Sequence, residues 1–123
     1  RTFVASDDGA VVAYYALASS AIAPAVTPGR FRRNMPDPIP VVVLARLAIS
    51  QSHQGKGLGR SLFQDASRRV THSAETICIR GMLVHAISKE AKAFYVKLGS
   101  ELSRLEPMTL MVTVADLRAA LTE

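Results

Sequence analysis

One segment indicates the fold, Gln54-Gly55-Lys56-Gly57-Leu58-Gly59-Arg60, which lies between a long apolar run and an amphipathic helical pattern. Its three glycines at alternate positions leave the backbone with little side-chain cover, so a ligand can approach the amide groups directly. The helix that follows directs the partial positive charge of its N-terminus at the same place. Because Lys56 and Arg60 add full positive charges, the segment predicts a loop that binds an anion, most simply a pyrophosphate.

The sequence on either side of this loop predicts an alternating α/β arrangement. The run Ile39–Ile49 is almost wholly apolar, as in a strand buried on both faces, and helical spacing of apolar residues predicts a helix over 57–74. Further predicted elements are strands over 2–6 and 10–18 joined by an Asp-Gly turn, a strand over 82–86, a helix capped by Ser88 and ended by Gly99, a strand over 110–114 and a helix over 115–121. This order predicts a single α/β sandwich domain over residues 1–123.

Composition restricts the class of protein. The chain has 123 residues, of which 49% are apolar and 20% charged, which is the balance of one soluble globular domain. No apolar stretch reaches the roughly 18 residues needed to span a bilayer, so we expect no membrane span. A lone Cys78 excludes an internal disulfide and is typical of a reducing compartment, so a cytoplasmic protein is expected.

A proline-rich segment over 24–40 carries the densest positive charge. Five prolines and Gly29 predict a loop, and a loop of this length inside a compact domain is more often functional than not. Its arginines, Arg30, Arg32 and Arg33, can bind phosphate groups of an acidic partner. A solvated charged surface is the alternative reading of the same residues.

Two common nucleotide-binding loops do not fit the glycine segment. A Walker loop needs Lys and then Ser or Thr directly after its last glycine, whereas Gly59 is followed by Arg60 and Ser61. A dinucleotide fingerprint needs Gly-x-Gly-x-x-Gly after a first strand, and the alternate spacing here differs. The segment therefore favours neither ATP nor a dinucleotide.

Two motifs resemble those of the Gcn5-related N-acetyltransferase (GNAT) superfamily. Gln54-x-x-Gly57-x-Gly59 is similar to its Gln/Arg-x-x-Gly-x-Gly/Ala motif, and Ala-Phe-Tyr-Val-Lys-Leu-Gly at 93–99 is similar to its late Ala-x-x-Phe-Tyr-x-x-x-Gly-Phe segment. The resemblance implies a mixed central sheet flanked by helices and acetyl-coenzyme A as cosubstrate, with no metal. The residues it implies for binding that cosubstrate are Leu47, Ala48, Ile49, Gln54, Gly55, Lys56, Gly57, Leu58, Gly59 and Arg60.

Longer stretches, at 34–40, 44–49, 53–59, 82–86 and 107–111, look like the acetyltransferase toxins of bacterial toxin–antitoxin pairs. This likeness extends over essentially the whole chain. Members of that group acetylate the free amino group of aminoacyl-tRNA, which blocks translation, and a ribbon-helix-helix antitoxin neutralises them. The resemblance therefore implies aminoacyl-tRNA and such an antitoxin as partners, Arg30, Arg32 and Arg33 as tRNA contacts, and allows a homodimer.

The sequence also departs from the family pattern. Ser100 stands where the family usually has Phe, and Ala13 and Ala45 stand where glycine is common. Arg1 matches roughly the start of the family's second strand, so we expect the first strand and first two helices to be missing from this chain. Those helices wall the acceptor site in the family.

Acetyl transfer from a thioester to an amine needs a neutral amine, a polarised carbonyl and a proton for the departing thiolate. By the resemblance, the backbone at Leu47, Ala48 and Ile49 contacts the pantetheine and thioester, and Tyr95 is the general acid. A tyrosine packed on an apolar helical face is the alternative for Tyr95. His85 can relay a proton or orient the substrate, although a structural hydrogen-bonded histidine is the more common case.

No carboxylate interrupts residues 41–50, where many lysine-directed relatives carry a base. An α-amino group has a pKa near 8, against about 10.4 for lysine, and needs less help to become neutral. The sequence thus favours an α-amine acceptor. A small-molecule or protein N-terminal acetyltransferase, and an inactive acyl-coenzyme A-binding or antitoxin-binding module, stay open as alternatives.

Overall fold

A computed structural model of the chain describes residues 1–22, 38–99, 101–102 and 108–121. The strands are β1 (Thr2–Asp7), β2 (Ala10–Ile22), β3 (Ile39–Ile49), β4 (Gly81–His85), β5 (Glu101–Leu102) and β6 (Thr109–Thr113). The helices are α1 (Leu58–Ala74), α2 (Lys89–Lys97) and α3 (Val114–Leu121), with a short 3₁₀ turn at Gln51–His53. All predicted strands and helices are present, whereas β5 and the extension of β2 beyond residue 18 were not predicted.

The strands form one mixed sheet in the order β1-β2-β3-β4-β6-β5. β3 and β4 are parallel, and every other neighbouring pair is antiparallel. The predicted Asp-Gly turn joins β1 to β2, with φ of 52° at Asp8 and 83° at Gly9, as a two-residue hairpin turn of the primed type requires. The mixed α/β fold expected from the sequence is confirmed.

The two central strands separate part-way along their length. Their register ends at the pair Leu44 and Val84, although β3 continues to Ile49. At the same point the register between β2 and β3 shifts, because Ala16 pairs with Arg46 while the next residue pairs with Leu44. Ala45 is therefore the extra residue of a β-bulge, which bends β3 and increases its local twist. The edge of β3 that faces β4 is left unpaired beyond this bulge.

The core lies mainly on the face of the sheet that α1, α2 and α3 cover. Its buried members include side chains of β3, β4, β6 and α1: Val42, Leu44, Leu62, Phe63, Ala66, Val70, Met82, Val84 and Leu110. A smaller cluster of Ile39, Val41, Leu83 and Met111 lies on the opposite face. Burial on both faces explains why β3 is apolar at consecutive positions.

A hydrogen-bonded group ties β2 to α1. The hydroxyl of Tyr15 donates to Oδ2 of Asp65, and Nε of Arg69 donates to the Tyr15 hydroxyl oxygen over 2.9 Å and to Asp65 over 3.1 Å. The guanidinium of Arg69 also lies 3.9 Å from the ring centroid of Phe3, which stacks on Tyr15. The side chain of Arg69 is thus engaged within the fold.

Candidate active site

The glycine loop starts where β3 ends. The Gln54 side-chain amide donates to the backbone oxygen of Ile49 over 3.0 Å, which closes the loop onto the strand. His53 lies 2.9 Å from Asp7 through Nε2, and its Nδ1 lies 3.0 Å from the hydroxyl of Ser50. These contacts hold the loop against the end of the β1–β2 hairpin. Gln54, expected from the resemblance as a cosubstrate-binding residue, has a structural role in this loop.

Two glycines connect the loop to α1 in a backbone conformation that other residues rarely adopt. Gly55 has φ of 77° and Gly57 has φ of 79°, both in the left-handed region that favours glycine. Gly57 is the N-cap of α1, and within the described residues no side chain caps this end and its first turn holds no acidic residue. The N-terminal amides of a helix need an acceptor, and an anion suits them.

Gly59 has a different role from its two neighbours. A Cβ at this position would lie 3.0 Å from Cδ1 of Ile49 and 3.5 Å from Cζ of Phe94. Glycine here lets the first turn of α1 approach both the end of β3 and α2. The close approach fixes the helix N-terminus beside the unpaired part of β3.

A cleft of about 350 Å³ opens between the separating strands. Leu47 and Ala48 line it from β3, and Tyr95 and Ala91 line it from α2. The remaining lining side chains, from β2, β3, the end of β4 and the segment after it, are Tyr14, Leu44, Ala45, Arg46, His85 and Ile87. Ile49 is half-buried and packs at the edge of the core instead. The structure therefore brings together two of the three predicted β3 residues and Tyr95.

Tyr95 is the most buried ionisable residue in this cleft, with 6% of its surface exposed. Its ring packs against those of Phe63 and Phe94, with centroids 5.9 Å and 5.2 Å away. Burial raises the pKa of Tyr95 above its usual value, because a phenolate loses more solvation than a phenol. The phenol therefore keeps its proton at neutral pH and is available as a donor.

The two basic residues of the loop lie outside the cleft. Lys56 is exposed. Arg60 is also exposed and borders a separate groove of about 460 Å³ between α1, the end of α2 and α3, together with Lys97 and Asp116.

The geometry matches a known family. A family model described as an acetyltransferase (GNAT) domain matches residues 1–99. The chain belongs to the GNAT acetyltransferase family. A GNAT acetyltransferase uses acetyl-coenzyme A, and the amide-lined loop, the uncapped helix and the open edge of β3 in this chain fit that cosubstrate.

Two proteins, one of them solved in two different complexes, are similar to this GNAT domain over most of its length. A protein of Mycobacterium tuberculosis (strain ATCC 25618 / H37Rv) named tRNA-acetylating toxin is 50% identical over 97% of this chain and 72% of its own. AtaT complexed with acetyl-methionyl-tRNAfMet is 27% identical with a TM-score of 0.88, over 97% of this chain and 74% of that one. A tyrosine-to-phenylalanine mutant of AtaT, bound to the C-terminus of the antitoxin AtaR and to acetyl-CoA, is 28% identical with a TM-score of 0.77, over 93% and 67%.

Some expectations for this GNAT domain fall outside what the structure describes. Arg30, Arg32 and Arg33 lie outside the described residues, as does Ser100. Within the described part of the chain, no group of three His, Cys, Asp or Glu side chains could hold a metal ion. No helix among these residues is long and apolar enough to cross a membrane.

The sequence did not predict which residues line the cleft opposite α2. His85 lines the cleft, and its Nδ1 lies 3.0 Å from the hydroxyl of Thr109 on β6. The pairing of His85 with Thr109 depends on the register between β4 and β6, which no local sequence pattern gives. Tyr14 and Arg46 join the wall for a similar reason, because their place depends on the β2–β3 register and its bulge.

Proposed function

We propose that this protein is a toxin that transfers the acetyl group of acetyl-coenzyme A to the α-amino group of an aminoacyl-tRNA and so blocks translation. The observation that carries the proposal is the 50% identity, over 97% of the chain, with a relative named tRNA-acetylating toxin. The likeness to AtaT, solved with acetyl-methionyl-tRNAfMet, supports the same class of acceptor.

In this proposal the loop and the first turn of α1 bind the pyrophosphate of the cosubstrate. The left-handed backbone at Gly55 and Gly57 and the uncapped helix end support this role. Lys56, Leu58 and Arg60 flank the same turn, and the two cations favour a bound anion. Gln54 and Gly59 contribute by holding the loop and the helix in place.

The unpaired edge of β3 then holds the pantetheine arm and the thioester. Beyond the bulge, the backbone of Leu47, Ala48 and Ile49 pairs with β2 on one side only, so its other side is open to a ligand. A backbone amide on this edge can polarise the thioester carbonyl. Tyr95 lines the cleft and donates its proton to the departing thiolate.

The composition of the cleft favours an α-amine over a lysine side chain as acceptor. Its ionisable lining residues in the described structure are Tyr14, Arg46, His85 and Tyr95, with no carboxylate among them. An α-amino group has a pKa near 8, whereas a lysine amine near 10.4 needs a strong base to become neutral. The α-amino group of a charged tRNA meets this condition.

The partners follow from the same activity. Arg30, Arg32 and Arg33 contact tRNA phosphates in this proposal, since three guanidinium groups within four residues suit a phosphate backbone. An antitoxin of the ribbon-helix-helix type neutralises the protein, and the AtaT complex with AtaR supports an antitoxin partner. The protein acts in the cytoplasm, where charged tRNA is found, and can act as a homodimer.

The proposal is tested by offering the purified protein labelled acetyl-coenzyme A with three classes of acceptor. These are charged tRNAs, free amino acids or small amines, and peptides with a free N-terminus. We expect label on charged tRNA, and loss of most of the rate in Tyr95→Phe. Tyr15→Phe is the matched control, because Tyr15 is buried outside the cleft lining.

Label on small amines but not on charged tRNA would show that the protein is a small-molecule acetyltransferase. Label on peptides but not on charged tRNA would show that it is a protein N-terminal acetyltransferase. Binding of acetyl-coenzyme A without transfer to any acceptor would indicate an inactive binding module.

A further inference from the structure

His85 stands at the mouth of the cleft between the separated strands. It is the last residue of β4, is exposed, and lines the cleft together with Tyr95, Leu47 and Ala48. Its position places an imidazole on the wall opposite β3, where an acceptor amine would approach a thioester held on the edge of β3.

The ring of His85 is oriented by a hydrogen bond with a buried hydroxyl group. Nδ1 lies 3.0 Å from Oγ1 of Thr109, which is 6% exposed and directly opposite His85 in the β4–β6 pairing. Nε2 has no hydrogen-bond partner among the residues that the structure describes. When Nδ1–H donates to Thr109, Nε2 is the unprotonated nitrogen and is free to accept a proton.

The other ionisable side chains around the cleft are proton donors in their ordinary forms and are not bases. Tyr14 from β2 and Tyr95 from α2 are phenols, and Arg46 from β3 is a guanidinium. An imidazole is the one side chain of the four whose ordinary titration falls near neutrality. Among the described lining residues, the role of base can therefore fall only to His85.

We propose that His85 accepts the proton that the attacking amine loses, which makes it the general base of the acetyl transfer and Thr109 its positioning residue. This inference rests on the proposed acetyltransferase function. As the neutral amine forms its bond to the acetyl carbon, one N–H proton passes to Nε2 of His85. The C–S bond breaks, the sulfur takes the phenolic proton of Tyr95, and the imidazolium returns a proton to the phenolate through water. The nitrogen loses one proton and the sulfur gains one.

The test is the pH dependence of kcat/KM with charged tRNA for wild type and His85→Gln. In the wild type both the amine and His85 must be neutral, so log kcat/KM should rise at acid pH with a slope of about two. His85→Gln should lower kcat/KM by about 10²-fold and reduce the slope to about one, since only the amine then titrates. His72→Gln, an exposed histidine of α1 that does not line the cleft, should keep the wild-type rate and slope.

The role of Thr109 as positioning residue is tested by comparing two substitutions. Thr109→Val keeps the side-chain shape but removes the hydroxyl, and should lower kcat/KM while leaving the affinity for acetyl-coenzyme A, measured by calorimetry, unchanged. Thr109→Ser restores the hydroxyl and should restore the rate. Melting curves of each variant show whether it is folded.

A folded His85→Gln protein that keeps the wild-type rate and the steeper slope would overturn the inference while leaving the proposed function intact. If the wild type acetylates another amine and not charged tRNA, the proposed function fails, and the same slope comparison is made with that amine.

Discussion

At the scale of single residues, Tyr15 is the polar group on which the packing of β2 against α1 depends. It is 1% exposed, and burial, followed by the hydrogen bond to Asp65, raises the pKa of Tyr15 to about 12. The same hydrogen bond lowers the pKa of Asp65. A phenol whose pKa is raised on folding stabilises the protein below pH 10, and this stabilisation is lost as the pH rises from about 10 through about 12.

Replacing Tyr15 by Phe should destabilise the protein by about 1–3 kcal/mol at pH 7, because Asp65 and Arg69 lose a buried partner. The difference in unfolding free energy between wild type and variant, measured by urea titration, should shrink between about pH 10 and 12. Comparing the two proteins cancels the titration of the lysines. A difference that stays constant across that range would show that the Tyr15 hydroxyl is not held as described.

In the proposed mechanism, Tyr95 is the general acid that protonates the departing thiolate. Because burial keeps its proton in place at neutral pH, Tyr95→Phe removes the donor without removing the ring that packs on Phe63 and Phe94. We expect a fall in kcat of about 10²- to 10⁴-fold with an unchanged melting temperature and unchanged acetyl-coenzyme A affinity. If Tyr95→Phe weakens acetyl-coenzyme A binding but leaves kcat unchanged, the residue serves only to pack the cleft.

At the scale of elements, the three glycines of the loop have two different structural roles, which the sequence presents as one motif. Gly55 and Gly57 supply backbone of positive φ, whereas Gly59 supplies space beside Ile49 and Phe94. Gly57→Ala should cost about 1–2 kcal/mol, since a Cβ disfavours the left-handed region. It should also weaken acetyl-coenzyme A binding by distorting the amides of the helix N-terminus, as calorimetry can measure.

Gly59→Ala should destabilise the fold through a steric contact with Ile49, which a second substitution can relieve. The added Cβ meets Cδ1 of Ile49 at 3.0 Å, and Ile49→Val removes that atom. Paired with Ile49→Val, the alanine should be tolerated better than alone, which gives a favourable coupling in a double-mutant cycle of unfolding free energies. Additive effects would show that the close approach of α1 to β3 is absent.

Local patterns predicted most of the elements, because they are encoded by neighbouring residues. The Asp-Gly turn, the doubly buried β3, the Ser88 cap and the stop at Gly99 all follow from short-range chemistry, and Ser88 does accept a hydrogen bond from the Ala91 amide. The bulge at Ala45 and the pairing of His85 with Thr109 do not, since both depend on strand register. Strand register depends on the packing of the whole sheet. Local sequence patterns therefore do not predict the shape of the cleft.

At the scale of the whole molecule, the fold brings the glycine loop and the cleft to the same end of β3. The loop begins directly after Ile49, and the cleft opens from Leu44 onwards. In the proposed function, one extended cosubstrate reaches from the helix N-terminus to Tyr95, and the acceptor enters from the side where His85 and Arg46 are exposed.

Binding of tRNA should show the role of the arginine-rich segment. Changing Arg30, Arg32 or Arg33 to Ala should weaken tRNA binding and reduce the slope of log affinity against log salt by about one for each lost phosphate contact. Arg68→Ala is the matched control, since Arg68 is exposed on α1 and carries the same charge. An unchanged slope in all three variants would remove these residues from the tRNA site.

The central claim is tested most directly by incubating the protein with labelled acetyl-coenzyme A and one tRNA in two forms, charged and discharged. The account predicts label on the charged form alone, recovered after nuclease digestion as an N-acetylaminoacyl adenosine. Label on neither form, or equally on both, while other amines in the same reaction become acetylated, would contradict it.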